Sequence, residues 1–94
     1  MAQENRAVHV IISGVVQGVG FRWFVERIAK NLKLSGIIRN LPDGSVETIV
    51  EGEGGALNAF VDQLWIGPVN SHVTDVKVTE RDFNDEFNDF RIVT

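Results

Sequence analysis

Residues 8–32 read VHVIISGVVQGVGFRWFVERIAKNL and contain one change of hydrophobic period. In the first part, β-branched residues at Val8, Val10 and Ile12 alternate with their neighbours up to Gly14, which is typical of a strand. After the glycine-rich part, apolar residues recur at spacings of three and four, which is typical of an amphipathic helix. They are Phe21, Phe24, Val25, Ile28, Ala29 and Leu32. The segment therefore predicts a strand, a glycine loop and a helix.

The rest of the chain predicts four more strands and a second helix. Pro42-Asp43-Gly44 is a strong turn signal and indicates a hairpin between the second and third strands. The predicted strands cover residues 37–41, 46–51, 73–78 and 90–93, and the helix runs from about residue 56 to 66. This order predicts an α+β fold, the ferredoxin-like βαββαβ sandwich, in which two helices cover one face of an antiparallel sheet.

Length and composition restrict the class of protein. A chain of 94 residues is expected to form a single domain over residues 1–94, because it buries too little surface for two cores. The polar residues 1–6 predict a flexible N-terminal tail. Contents of 44% hydrophobic and 23% charged residues are ordinary for a globular protein and exclude general disorder. The net charge of -4 offers no basic surface for nucleic acid, so no nucleic-acid partner is expected.

No segment predicts a membrane or a metal partner. The apolar run of residues 8–12 is far too short for a signal or transmembrane segment, so we expect a cytoplasmic protein. The absence of cysteine excludes disulfides and thiolate metal sites. His9 and His72 lack carboxylates at metal-binding spacing, so neither a metal nor another cofactor is expected. We also expect a monomer.

The glycine loop before the first helix indicates an anion site. Gly14, Gly18 and Gly20 allow backbone N–H groups to converge, where they add to the unpaired N–H groups and positive dipole end of the helix. Arg22 lies in the first helical turn, where a cation is disfavoured unless an anion lies beside it. The alternative is that the glycines only form a turn and that Arg22 is a solvated charge.

Asn40 is predicted to lie at the same edge of the sheet. In a split βαβ unit the first and second strands are parallel, with the third strand between them, so their carboxyl ends meet at the edge that carries the glycine loop. Two strand spacings put Asn40 roughly 10 Å from the loop, a gap that a phosphate and a water could fill. The alternative is that Asn40 only initiates the turn at Pro42-Asp43-Gly44.

Other motif assignments fail on single residues. A Walker loop needs Gly-Lys followed by Ser or Thr, and a dinucleotide-binding fingerprint needs glycine where Trp23 stands. The segment of residues 20–25 imitates the aromatic signature of an RNA-recognition domain. That signature belongs on a strand with exposed aromatic rings, whereas Phe21 and Phe24 fall on the buried helical stripe. We expect Trp23, which lies off that stripe, to pack partly on the sheet edge, with shielding of the site as the alternative.

With these residues in place, the sequence closely resembles the acylphosphatase family from about Val8 to Val93. The matching motifs are VQGVGFR at 16–22, GIIRNLPDGSVE at 36–47, Glu51-Gly52, Gly67-Pro68 and Phe90-Arg91-Ile92. The resemblance implies the sandwich fold predicted above. It also implies an enzyme that hydrolyses the carboxyl-phosphate bond of small acyl phosphates without a metal or a covalent phosphoenzyme.

The resemblance also implies roles for the residues of the site. Arg22 would be the catalytic arginine that binds the phosphate, and Asn40 would orient the attacking water. The loop that holds the substrate phosphate would consist of Val16, Gln17, Gly18, Val19, Gly20 and Phe21. Inorganic phosphate would be both a product and an inhibitor.

The sequence departs from the family pattern at three positions. Val15 replaces a basic residue common in bacterial relatives, Ile37 replaces a frequent Trp, and Ile66 stands where Lys or Arg often precedes Gly-Pro. These changes reduce the positive potential expected around the site and leave the chemistry in place.

Two other functions stay open on the sequence. One is a non-catalytic module that binds anions or partners on the same fold. The other is a domain that handles carbamoyl phosphate, related to hydrogenase-maturation carbamoyltransferases. Trp23 argues against the second, because those proteins usually have Pro after the Arg, and they extend for hundreds of residues.

Overall fold

The computed structural model describes residues 4–94, which form one five-stranded sheet and two helices. The elements are β1 (Asn5–Val15), α1 (Phe21–Asn31), β2 (Ser35–Asn40), β3 (Val46–Glu53), α2 (Gly54–Ile66), β4 (His72–Arg81) and β5 (Phe90–Ile92). The strand order is β4-β1-β3-β2-β5. Because β3 is antiparallel to both β1 and β2, those two strands are parallel and end at the same edge of the sheet.

The sheet is mixed, whereas the sequence predicted an antiparallel sheet. The first four strands pair as expected, but β5 pairs with β2 in parallel. The reason is topological: β4 runs antiparallel to β1 and therefore to β2, and the chain reverses direction once more before β5. The ferredoxin-like α+β fold itself is confirmed, with both helices packed on the sheet.

The core lies between the helices and one face of the sheet. Phe21, Val25 and Ala29 of α1 are buried, and Phe24, Ile28 and Leu32 pack partly buried against the same cluster, which confirms the predicted stripe. From α2 the core receives Leu57, Phe60 and Leu64, whose spacing of three and four residues places them on one face of the helix. Buried residues from the sheet complete it, among them Val8, Val10, Ile12, Ile38, Val46, Val50 and Phe90.

Several predicted bounds differ from the observed ones by one to three residues, and the differences at the N-terminus and at the start of α2 involve one contact. The tail predicted over residues 1–6 is too long, because Asn5 pairs with Glu53 in β1 and Glu4 O accepts a hydrogen bond from Gly54 N at 3.1 Å. The part of that prediction on residues 1–3 lies outside the described residues. The hydrogen bond between Gly54 N and Glu4 O also lies at the start of α2, which begins at Gly54, two residues before the predicted start. Gly54 is buried, and because it has no side chain it fits against the backbone of Glu4.

The sheet face opposite the helices carries a cluster of three charged or polar side chains. His9 Nε2 donates to Glu47 Oε2 at 2.7 Å, and Arg39 Nε donates to Glu47 Oε1 at 2.6 Å. The side chain of Glu47 is only 15% exposed. The hydrogen bond from His9, followed by the bond and charge of Arg39, holds the pKa of Glu47 below its usual value of 4.5.

We expect this cluster to make the fold sensitive to acid. Since the pKa of Glu47 is lower in the folded than in the unfolded chain, its ionised carboxylate stabilises the fold above about pH 4.5, and this contribution is lost as the pH falls through the folded pKa. Below that pH, the unfolding free energy of Glu47→Gln should therefore fall less steeply with decreasing pH than that of wild type. Urea denaturation at several pH values measures this difference. The exposed Glu53→Gln should keep the wild-type slope. Equal slopes for Glu47→Gln and wild type would contradict the prediction.

Candidate active site

The glycine loop joins the end of β1 to the start of α1 and leaves its amides free. Gly18 and Gly20 have φ values of 73° and 77°, a left-handed conformation that favours glycine. Gly20 caps α1 without a side-chain hydrogen bond, and the first bond of the helix runs from Phe24 N to Gly20 O at 3.1 Å. Within residues 4–94, the N–H groups of residues 17–23 therefore take no backbone acceptor. Such unpaired N–H groups favour an anion.

An open pocket of about 310 Å³ lies over this loop. It is lined by Val16, Gly18, Gly20, Phe21, Arg22, Trp23 and Asn40. Arg22 is half-buried and forms no ion pair with a carboxylate among the residues described. The pocket thus joins the start of α1 to the end of β2, which is the juxtaposition that the parallel arrangement of β1 and β2 predicts.

Asn40 ends β2 and lines this pocket. Its Oδ1 is buried and has no hydrogen-bond partner in the part of the chain that the structure describes. The turn that follows is held instead by Asp43, whose Oδ1 accepts from Ser45 N at 3.0 Å and from Ser45 Oγ at 2.6 Å. Asp43 therefore makes the hydrogen bonds that a turn-initiating side chain would make. The side-chain amide of Asn40 remains available to another partner.

Gln17 connects the glycine loop to the strand end that carries Asn40. Its Nε2 donates to Leu41 O and to Ser45 O, each at 2.8 Å. Both hydrogens of Nε2 are thus used inside the protein, which leaves the backbone N–H as the donor that Gln17 can offer to a ligand. This bridge was not predicted from the sequence, because its acceptors lie 24 and 28 residues away and no local pattern indicates them.

Six of the eight predicted site residues line the pocket, and two do not. Gln17 faces the turn, and Val19 packs half-buried against the core. Trp23 lines the pocket with 77% of its surface exposed, so the expected packing on the sheet edge is wrong. Helical side chains lean towards the helix N-terminus, which directs a residue of the first turn to the loop. That rule could have placed Trp23 at the site.

The departures from the family pattern fall in different places. Val15 is 54% exposed and precedes Val16, which lines the pocket. Ile66 is 68% exposed and precedes Gly67, which lies against Phe21. Ile37 lies on the opposite face of the sheet from Ile38 and Asn40, outside the pocket. Among residues 4–94, Arg22 is the only charged residue that lines the pocket.

Neither of the two histidines lines the pocket, although His72 pairs with Val15 at the end of β1. His9 is bonded to Glu47 on the far face, and His72 is exposed at the start of the edge strand β4. Over residues 4–94 no group of three or more His, Cys, Asp or Glu side chains could hold a metal ion. In the same residues, neither helix is long and apolar enough to cross a membrane.

Comparison with known proteins agrees with the fold and shows the family. The family model for acylphosphatase matches residues 8–92. An acylphosphatase of Chlorobaculum tepidum is 48% identical over 90 residues, which are 96% of this chain and 98% of the relative. The crystal structure of the acylphosphatase from Bacillus subtilis matches with a TM-score of 0.92 at 42% identity, covering 95% of this chain and 99% of that one.

A longer protein contains a similar domain. The structure of full-length HypF in a phosphate- and nucleotide-bound form matches with a TM-score of 0.86 at 33% identity, covering 100% of this chain but 12% of that chain. Fold, loop and relatives together define a small hydrolase of the ferredoxin-like α+β class. The chain belongs to the acylphosphatase family.

Proposed function

We propose that this protein hydrolyses the carboxyl-phosphate bond of small acyl phosphates, with Arg22 and the loop amides binding the phosphate and Asn40 orienting the water. Membership of the acylphosphatase family supports hydrolysis of acyl phosphates. The observation that carries the assignment of residues is the pocket itself, in which three features meet: a helix start without a side-chain cap, an arginine without a carboxylate partner, and a buried amide oxygen without a hydrogen-bond partner, each judged within residues 4–94.

The phosphate is held by two kinds of donor. The N–H groups of residues 17–21, which take no backbone acceptor within residues 4–94, add to the start of α1, and Arg22 adds a planar fork of donors that fits two phosphate oxygens at once. Phosphoryl transfer has a loose transition state with charge on the equatorial oxygens. Fixed donors around those oxygens stabilise this charge without reorganisation, so positioning and electrostatics supply most of the catalysis.

The water attacks phosphorus on the side opposite the leaving carboxylate. Asn40 holds this water in line, and the P–O bond to the carboxylate breaks as the new P–O bond forms. The released carboxylate needs no general acid because its conjugate acid has a pKa of about 4 to 5. A phosphate oxygen of the substrate takes the proton of the water, so the products are a carboxylate and inorganic phosphate. The site therefore needs no His, Asp, Cys or metal.

The test is turnover of benzoyl phosphate by the purified protein, with and without a chelator. We expect one benzoate and one inorganic phosphate released per substrate, at a rate that the chelator leaves unchanged. Loss of activity on chelation would contradict the metal-free mechanism. Binding of phosphate without turnover of benzoyl, acetyl or carbamoyl phosphate would contradict the enzyme and favour the non-catalytic anion-binding module.

A further inference from the structure

Trp23 is an indole ring left uncovered at the rim of the pocket. It follows Arg22 in the first turn of α1, lines the pocket and is 77% exposed. The other bulky apolar residues of the lining, Val16 and Phe21, are each 1% exposed and belong to the core. Trp23 is thus the apolar side chain of the lining that gains burial when a ligand enters.

The lining of the pocket carries a single positive charge, and in the proposed function the phosphate binds to it. Arg22 is the one charged residue of the lining. Arg39 precedes Asn40 but lies on the other face of the sheet, where it is bonded to Glu47. The chain as a whole has a net charge of -4. A second negative charge on a substrate would therefore meet no free cation in the lining and an unfavourable overall potential.

We propose that the site selects acyl phosphates whose acyl group is uncharged, flat and apolar, with Trp23 as the surface on which that group packs. This rests on the proposed function, in which the loop and Arg22 hold the phosphate end of the substrate. With that end fixed at the start of α1, the acyl end lies at the rim of the pocket, where the indole can cover one of its faces. Aromatic groups pack on indole in offset or edge-to-face geometry and gain beyond simple burial.

The effect expected from this contact is about tenfold in kcat/KM, which equals ~1.4 kcal/mol. At ~25 cal/mol per Å² of buried apolar surface, it requires roughly 55 Å² of cover, which is a fraction of what one indole ring offers. A methyl group, as in acetyl phosphate, covers far less of the ring than a phenyl group does. The contact is therefore measured by the ratio of kcat/KM for benzoyl phosphate to kcat/KM for acetyl phosphate. An effect of a substitution on the phosphate end changes both values alike and cancels in this ratio.

The experiment compares this ratio in wild type, Trp23→Ala, Trp23→Phe and Trp65→Ala. We expect the ratio to fall about tenfold in Trp23→Ala and to recover largely in Trp23→Phe, which keeps a flat ring. Trp65 is a matched control, because it is 49% exposed on α2 and does not line the pocket, so Trp65→Ala should keep the wild-type ratio. Wild type should also turn over 4-carboxybenzoyl phosphate with a lower kcat/KM than benzoyl phosphate.

The outcomes separate this proposal from the proposed function. Turnover of both substrates with an unchanged ratio in Trp23→Ala would overturn the role of Trp23 and leave the hydrolase assignment intact. Equal kcat/KM for the carboxylated and the plain benzoyl substrate would overturn the preference for an uncharged acyl group. Failure of the wild type to turn over any of the substrates would instead overturn the proposed function.

Discussion

Replacing Arg22 with Ala should lower acyl phosphate hydrolysis by at least about 10³-fold, because it removes the one cation of the pocket. Arg22 forms no ion pair with a carboxylate within residues 4–94, so its loss breaks no internal contact of that kind. A cation at a helix start is also mildly unfavourable without an anion. The unfolding free energy of the variant should therefore stay within about 1 kcal/mol of wild type or rise.

Phosphate binding provides a second measurement on the same variant. Inorganic phosphate at about 100 times its dissociation constant should stabilise wild type by roughly 2.7 kcal/mol, and this stabilisation should disappear in Arg22→Ala. Arg22→Lys should fail as well, since an ammonium group cannot bind two oxygens with a planar fork. Arg27→Ala is the matched control, because Arg27 is exposed on the same helix and does not line the pocket. Activity of Arg22→Ala within tenfold of wild type would contradict the assignment.

The helices and the sheet edge that carries the site could be predicted from the sequence, because periodicity and topology determine them. The stripe from Phe21 to Leu32 has the spacing of a helix face, and a helix with such a face buries it. The hairpin at Pro42-Asp43-Gly44 places the third strand beside the second, and the observed order puts β3 between β1 and β2. The meeting of Asn40 and the glycine loop follows from this order alone.

The parts that sequence analysis missed depend on partners distant in the chain. Whether Asn5 and Arg6 form a tail or a strand depends on whether Glu53 and Gly52 lie beside them, and a polar pattern does not report that. The amide of Gln17 could equally contact solvent, a ligand or a carbonyl, and only the folded turn brings two carbonyls to it. Trp23 is a different case, because the lean of first-turn side chains towards the helix N-terminus is a local rule that could have placed it at the site.

At Asn40 we expect a loss of chemistry without a loss of binding. If its amide holds the water and does not bind the phosphate, Asn40→Ala should lower kcat by roughly 10²- to 10³-fold, the scale seen when one positioned polar group is removed from a transition state. Competitive inhibition by inorganic phosphate should hardly change. Asn40→Asp should be as damaging despite its similar shape, because it adds a negative charge opposite the phosphate and places a charged oxygen where the buried Oδ1 has no donor.

Gln17 tests whether the position of Asn40 matters as well as its identity. Gln17→Leu removes the donor to Leu41 O and Ser45 O, which keep their backbone donors Gly44 N and Leu41 N, so each lost hydrogen bond should cost about 0.5–1.5 kcal/mol of stability. A purely structural residue would change stability alone. If Gln17 positions the strand end that carries Asn40, Gln17→Leu should also lower kcat in the wild-type background. In the Asn40→Ala background the same substitution should lower kcat little further. A double-mutant cycle detects this non-additivity.

Phosphate inhibition and turnover, measured together on Asn40→Ala, separate the three possible roles of this residue. A fall in kcat with unchanged phosphate inhibition supports the orientation of water. Equal losses in phosphate inhibition and in turnover would make Asn40 a phosphate ligand, because binding and transition state would then lose the same interaction. Loss of stability with neither kinetic effect would return Asn40 to the role of a turn residue, a role for which its side chain makes no hydrogen bond in the described structure.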